Sequence, residues 1–421
     1  MTTFVVPRTA REEFRADWPL LLTAMMGAGL SAILAYALGI FIGPIGREFG
    51  WNPEIIVTGF TLSTVLGVVG VIFSGRLIER FGARNLTLTG TFILAGATVA
   101  LGLIPNSVPA YLGCYVAVAA AHTLLSPIIW QKIVVERFVK ARGLAVSIVL
   151  CGPNIAGAVA PILATLSIAR ADWHIAYFVL AAYMILSSLP LTWLFFRETP
   201  RRSRSAEIGT TVARPPEATG GLSLSLAFGT REFWLLSASF MFAGVGMTGY
   251  TVFFVPMLLS KDLALLLAAS MVSAFSIAAI CGRLLAGFAM DHMFAPRVAA
   301  LALALPVISS VLLLYLPPLY LTVLAAAVLT GLSSGAEYNM ITYLATRYFG
   351  LRDFGSIGGL LFAVFMIGTI GGQQLPPLLL RSGSYDDVLL FFGGCFLFAA
   401  TLMLFCRPYP HFCSDKESSM P

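Results

Sequence analysis

The chain has 421 residues, 58% of them hydrophobic and 11% charged, with a mean hydropathy of +0.89. A soluble domain carries about 25% charged residues, so this composition excludes a separate soluble domain and describes a chain built for lipid. The formal charge of +6 does not point to nucleic acid: only Arg47, Arg170, Lys261 and Arg381 fall in loops on one side of the topology below, and the other basic residues lie on the opposite side or within spans, which is the positive-inside bias of a membrane protein.

Apolar runs of about 20 residues, each long enough to cross a hydrocarbon core of about 30 Å, recur along the chain. Twelve spans are expected, over 18–43, 55–78, 86–104, 109–133, 143–168, 174–196, 233–259, 264–290, 298–316, 319–345, 355–380 and 387–406. Before the first, Met1 to Asp17 mixes Arg8, Arg11 and Arg15 with Glu12, Glu13 and Asp17, and no short apolar core with a cleavage site follows, so no removed signal peptide is expected. An even number of spans puts both termini on one side, and the N-terminal arginines with Arg407 and Lys416 make that side cytoplasmic.

Few polar groups fall at membrane depth. Tyr36 lies near the middle of the first span and can hydrogen-bond a substrate or simply pack. His122 lies midway in the fourth, among alanines, with Thr123 and Ser126 near; such a histidine is a proton relay, a substrate contact or a hydrogen-bonded packing residue. The fifth span brings Asn154 just after Gly152-Pro153. After the sixth comes the one long break, Arg197 to Arg231, which holds six arginines with Pro215-Pro216 and Gly220-Gly221 and reads as a polar cytoplasmic linker. Residues 1–196 and 232–421 are then two six-span halves, with 197–231 between them.

Arg283 dominates the second half. It lies eight residues before Asp291 in the apolar eighth span, roughly 12 Å along a helix axis. A charge at that depth costs roughly 2.5–3.5 kcal/mol to insert and is rarely present without a role. Its planar fork suits a carboxylate bidentately; the structural alternative is an arginine neutralised by Glu337 or by backbone carbonyls. Glu337, in the tenth span, is the one acid deep in a span, and a carboxyl there is either a proton carrier or one half of an ion pair with Arg283. Gln373 and Gln374 add polar groups in the eleventh span. The six cysteines show no metal-ligand spacing, and neither a phosphate-cradling loop nor a convincing Ser-His-Asp set is present. No metal, no cofactor and no enzymatic activity are expected, so a gradient must supply the energy.

The halves repeat each other. Gly75 and Glu79 match Gly287 and Asp291 at an offset of 212; Arg137 and Arg142 match Arg347 and Arg352 at 210; Pro44 matches Pro256 at 212. Same-order matches at near-constant offset indicate a parallel duplication of six spans, a known transporter plan with its site near the midplane.

The run Gly75-Arg76-Leu77-Ile78-Glu79-Arg80-Phe81-Gly82-Ala83-Arg84 resembles the signature loop of the major facilitator superfamily, with Glu79 in the usual Asp place. Tyr36 to Phe41 with Pro44, Phe49-Gly50-Trp51, Arg137-Phe138 with Arg142 to Ala145, Asp172-Trp173, Gly335-Ala336-Glu337, Arg347 to Arg352 with Phe354-Gly355, and Ser382 to Tyr385 are similar, in order, to stretches of its bacterial monocarboxylate and oxalate–formate transporter group. The resemblance covers nearly the whole chain. It implies an all-α membrane fold of twelve transmembrane helices in two pseudo-symmetric six-helix bundles.

The resemblance also implies roles. An arginine of the eighth span with glycine four residues on, here Arg283 and Gly287, contacts the substrate carboxylate. The lysine that animal monocarboxylate carriers hold near Tyr36 is absent, and Ala279 stands where they have an acid. Gly-Ala-Glu is often followed two residues on by Asp; here that place is Asn339. Gly75, Glu79, Arg80, Arg84, Asp291, Arg137 and Arg352 are expected to latch cytoplasmic helix ends as gating residues. The expected protein is a monomeric secondary transporter of the cytoplasmic (inner) membrane, moving a small organic anion, a monocarboxylate or aromatic acid, with a proton by alternating access. Tyr36, His122, Arg283, Asn339 and Gln373 are its expected substrate contacts, and Glu337 or His122 its proton carrier. The alternative is a proton-antiport exporter of hydrophobic compounds.

Overall fold

The computed structural model describes residues 10–125, 129, 130, 134, 137, 138, 142–196, 221–350, 353–381 and 383–409. Among them the chain is helical, with a single isolated bridge between Gly221 and Gly350. The helices are α1 (Ala10–Leu30), α2 (Ile33–Phe49), α3 (Pro53–Phe81), α4 (Ala83–Leu101), α5 (Val108–Leu124), α6 (Arg142–Val149), α7 (Gly152–Arg170), α8 (Trp173–Phe195), the short α9 (Leu224–Phe228), α10 (Arg231–Leu259), α11 (Leu265–His292), α12 (Ala295–Tyr315), α13 (Tyr320–Phe349), α14 (Phe354–Leu379) and α15 (Tyr385–Leu404).

Among the described residues ten helical segments are long and apolar enough to cross a membrane. The third and fourth expected spans correspond to α4 and α5, the latter a shorter apolar helix. α4 is diluted by threonines, and its Thr87, Thr91 and Thr98 hydroxyls donate back to Arg84 O, Thr87 O and Leu94 O. Those hydroxyls are satisfied within their own helix, which is what makes them tolerable away from water. Large apolar side chains stand exposed on the helix surfaces, among them Leu186, Phe288 and Leu321. That surface suits lipid, where an exposed leucine is at no disadvantage.

Local chemistry sets the helix ends. Asp172 Oδ1 accepts from Ile175 N at 2.9 Å to cap α8, and Thr230 Oγ1 accepts from Phe233 N to cap α10. Ser384 and Asp387 form a reciprocal capping box on α15, satisfying otherwise orphaned N–H groups. Gly82 turns the chain from α3 into α4 at φ +78°, a conformation that a residue with a Cβ rarely adopts.

The chain forms two compact units. One comprises Met1–Glu198 with Ala264–Ser273, the other Thr199–Leu263 with Ala274–Pro421. In the first, α4 packs on α5 and α8, α3 on α5, and α7 on α1, α2 and α8. In the second, α10 packs on α14 and α15, α12 on α13 and α15, and α13 on α14. Each unit contains helix contacts made through backbone. In the first, a Cβ added at Gly152 would fall on Met25 O, and one added at Gly29 would sit 2.7 Å from Gly152 O. In the second, a Cβ at Gly368 would fall on Met241 O, and one at Gly372 on Val245 O. Small residues admit such close approach of helices where lipid supplies no hydrophobic force to drive them together.

The first and fifth expected spans are not continuous helices. The first is broken at Ser31–Ala32, between α1 and α2, and the fifth at Leu150–Cys151, between α6 and α7. Pro153 accounts for the second break, because it has no N–H and its ring clashes with the carbonyl four residues before it. The first falls in a Gly27, Gly29, Ser31 cluster, the other common cause of a sharp kink. There Ser31 Oγ donates to Ala28 O at 3.1 Å.

Candidate functional site

In the second unit the polar residues are built around the crossing of α11 and α13. Gly331 and Gly335 of α13 and Gly282 of α11 leave no room for a side chain: a Cβ at Gly331 would lie 2.8 Å from Ala278 Cβ, and one at Gly282 would lie 2.6 Å from Leu332 Cα. A Cβ at Gly335 would fall on Ala279 O and lie 2.7 Å from Arg283 N. The Arg283 backbone therefore sits at the tightest point of the crossing. One turn further along α13, Asn339 Nδ2 donates to Arg283 O at 3.1 Å. That bond ties the arginine's backbone to α13 and engages an amide that the sequence reading assigns to substrate.

Arg283 is 7% exposed. Glu337, two residues beyond Gly335 on α13, is 3% exposed, and its Oε1 has no hydrogen-bond partner among the described residues. The Tyr338 phenol lies within electrostatic reach of both Glu337 and Arg283. Gln373 of α14 is buried, with Thr369 buried one turn before it on the same helix. These charged and amide groups are gathered into a single unit on three helices, α11, α13 and α14.

In the first unit, two neutral polar groups of the interior meet across two helices. Tyr36 OH donates to Asn154 Oδ1 at 3.4 Å, joining the first turn of α2 to the first turn of α7. Both residues are buried, and Asn154 Nδ2 has no partner among the described residues. His122 lies elsewhere in the unit, on α5 across from Gly67 of α3. Its Nε2 is buried without a hydrogen-bond partner among the described residues. The sequence placed Asn154 at membrane depth but gave no reason to join it to Tyr36. The helix breaks beside them were the missing information, and Gly152-Pro153 was their one visible signal.

The expected gating residues divide. Arg137 Nη1 stands 3.6 Å from Asp17 Oδ1. Arg84 Nη2 donates to Trp193 O at 2.7 Å, and Arg80 lies over the Phe81 ring. Asp291 is exposed near the end of α11. The surroundings of Gly75 and the side chain of Glu79, and the whole of Arg352, lie outside what the structure describes. Close to Asp291 is an arrangement the sequence did not suggest. Arg347 packs over the rings of Tyr343 and Tyr409, Tyr343 OH donates to Met290 O at 2.8 Å, and Tyr409 OH accepts from Ala295 N at 3.0 Å. Residue 409 thus clips the end of α13 to the start of α12. Burial pushes the Tyr409 hydroxyl up from the ordinary phenol pKa, which keeps it protonated.

Among the described residues no group of three or more His, Cys, Asp or Glu could hold a metal ion. Buried charges on long apolar helices, with backbone-to-backbone crossings, define a multi-pass membrane transporter. The sequence profile of the Major Facilitator Superfamily matches residues 24–372 and 247–419, and the chain belongs to that superfamily. It is similar to the uncharacterized MFS-type transporter YhjX of Escherichia coli, 22% identical over 350 residues, covering 80% of this chain and 81% of that one. It is also similar to the MFS transporter asaE of Aspergillus flavus, 24% identical over 355 residues, covering 79% and 73%. Among solved structures the D-xylose–proton symporter shares the fold at a TM-score of 0.73 and 13% identity, covering 94% of this chain and 98% of that one. A bacterial homologue of the human lysosomal transporter Spinster does so at 0.67 and 19%, covering 91% and 94%. The fold is the major facilitator fold, and the relatives are transporters rather than enzymes.

Proposed function

We propose that this transporter moves a small organic anion, a monocarboxylate or an aromatic acid, together with a proton, by alternating access. The observation that carries this reading is Arg283, an arginine only 7% exposed in the middle of an apolar helix. Its backbone is fixed at a glycine crossing and by Asn339. An arginine side chain keeps its charge at any accessible pH and presents a planar fork to a carboxylate. Holding the backbone that carries it reduces the ordering cost of binding. Asn339 supports the site by positioning Arg283, and Gln373 and Tyr36 supply neutral contacts.

Glu337 is the proton carrier in this reading. A carboxyl in the membrane interior whose Oε1 has no partner among the described residues is a functional group by default, and no other acid lies as deep in a span. The D-xylose–proton symporter runs proton coupling on the same fold. Alternating access in this fold proceeds by rocking of the two repeats, with Arg80, Arg84, Arg137 and Asp291 latching helix ends on the cytoplasmic side. Both termini then face the cytoplasm, the protein sits in the cytoplasmic membrane, and a monomer suffices.

The test is uptake into proteoliposomes under an imposed pH gradient. Arg283→Gln abolishes accumulation of the anion without loss of folded protein, and undiminished uptake contradicts the docking role. Glu337→Gln abolishes pH-driven accumulation while counterflow persists; retained pH-driven uptake makes Glu337 structural. Efflux of hydrophobic cations by the wild type, with no response to carboxylates, would favour the exporter.

A further inference from the structure

Where α11 and α13 end and α12 begins, the second unit gathers basic groups on an aromatic patch. Arg297, in the first turn of α12, lies over the Phe294 ring, its Cζ 5.8 Å from the centroid. Arg347, in the last turn of α13, lies over the Tyr409 ring at 5.4 Å. These two rings pack on each other with centroids 5.1 Å apart, so cation–π contact holds both guanidiniums on one small surface. The Tyr348 ring packs on Tyr409 as well, and its OH donates to Arg407 O at 2.6 Å, which brings the exposed Arg407 to the same place.

Among the described residues none of these three arginines has a salt-bridge partner. Arg347 gives one N–H to Tyr343 OH at 3.2 Å, and the exposed Asp291 acts on it only at longer range. A guanidinium stacked on a ring keeps its N–H edge open and can still offer a fork to an oxyanion. A second observation shows which anion fits. Leu284, Leu285 and Phe288 of α11 stand exposed, and so does Met293 directly before Phe294. Residues 284, 288 and 292 follow one another at one-turn spacing, and the Phe288 ring packs on His292 at 4.3 Å. A face suited to hydrocarbon chains therefore runs along α11 to the edge of the arginine patch. Free phosphate has no use for such a face, whereas a lipid engages both the face and the arginines.

We infer that Arg297 and Arg347, stacked on Phe294 and Tyr409 with Arg407 beside them, form a binding site for the headgroup of an anionic phospholipid, whose acyl chain lies along Leu284 and Phe288 of α11. The unanswered groups are all cationic donors, so the site takes phosphatidylglycerol-like lipids and gains little from zwitterionic phosphatidylcholine, whose choline cation is repelled. Asp291 opposes the headgroup, so Asp291→Asn strengthens binding. The site lies within one unit and is independent of which solute the protein carries.

The test uses purified full-length protein in detergent micelles doped with dioleoylphosphatidylglycerol or dioleoylphosphatidylcholine, and a third sample with inorganic phosphate and no lipid. Bound lipid is counted by native mass spectrometry, and each variant's melting temperature is read against its own lipid-free baseline. The wild type retains phosphatidylglycerol about tenfold better than phosphatidylcholine and melts several degrees higher with it, while inorganic phosphate leaves its melting unchanged. Combining Arg297→Gln with Arg347→Gln brings the two lipids within about twofold. Arg297→Gln alone, at an exposed side chain with no hydrogen bond to lose, removes a large part of the preference, so a folding defect in the double variant does not obscure the result. Retention of phosphatidylglycerol no better than phosphatidylcholine by the wild type, or a preference that survives in the double variant, overturns the inference. Stabilisation by inorganic phosphate equal to that by the lipid, and lost in the same variants, overturns it too, because the patch is then a site for free anions.

Discussion

The two units use the same device and put it to different ends. Each brings two helix backbones into contact through glycine, at Gly29 and Gly152 in the first and at Gly368 and Gly372 in the second. In the first unit both partners are broken at the contact. In the second, α10 and α14 run through it unbroken over 29 and 26 residues. The polar chemistry follows the backbone. The broken helices accompany neutral donors, Asn154 and Tyr36, whereas the second unit keeps its helices whole and carries charge on side chains, Arg283 and Glu337. Unbroken helices give a charged group a rigid seat, and broken ones expose backbone polarity that needs no charged residue.

The largest effect expected from this comparison is at the close contacts. Gly335→Val forces a branched side chain onto Ala279 O, and Gly152→Val does the same at Met25 O. Overpacking costs about 1–3 kcal/mol even where neighbours can shift, and carbonyls of packed helices shift little. Both variants are expected to lose most folded protein, measured as monodisperse yield and melting temperature. Gly287→Ala and Gly113→Ala, where nothing lies within 4 Å, are expected to melt within a degree or two of the wild type. Equal tolerance at all four positions would undo the comparison.

A smaller effect separates positioning from docking. Asn339→Ala removes the bond to Arg283 O, worth about 1 kcal/mol. It is expected to weaken anion binding several-fold in a titration while leaving the ranking of anions unchanged. A changed ranking would make Asn339 a direct contact. The smallest effect is at the clip on α12. Tyr409→Phe deletes the acceptor for Ala295 N but keeps the ring packing on Phe294 and Tyr348. It is expected to lower the melting temperature by only a few degrees, with Tyr409→Ala lowering it further.

The order and placement of the spans are legible in the sequence because an apolar run of about 20 residues has one structural solution in lipid. The α11 and α13 helices begin and end within a few residues of the expected 264–290 and 319–345. Arg283 and Glu337 stand out for the same reason, as charges where charges are expensive. The break at Ser31–Ala32 is not legible, because no proline marks it and glycine and serine are common at helix contacts. Asn339 is expected as a substrate contact, and that its Nδ2 donates to Arg283 O is not legible, because nothing local to Gly-Ala-Glu-Tyr-Asn shows which backbone will pass beside it. The Tyr409 clip likewise joins residues 295, 347 and 409, which only the tertiary fold brings together.

The central claim is that the Arg283 guanidinium recognises a carboxylate. It is tested most directly by comparing a bound acid with its primary amide, lactate with lactamide and phenylacetate with phenylacetamide, by calorimetric titration of the wild type and of Arg283→Gln. The account predicts that the wild type prefers each acid over its amide by at least a hundredfold and that Arg283→Gln reduces this preference to within a few-fold. A preference for the acid that persists undiminished in Arg283→Gln would contradict it.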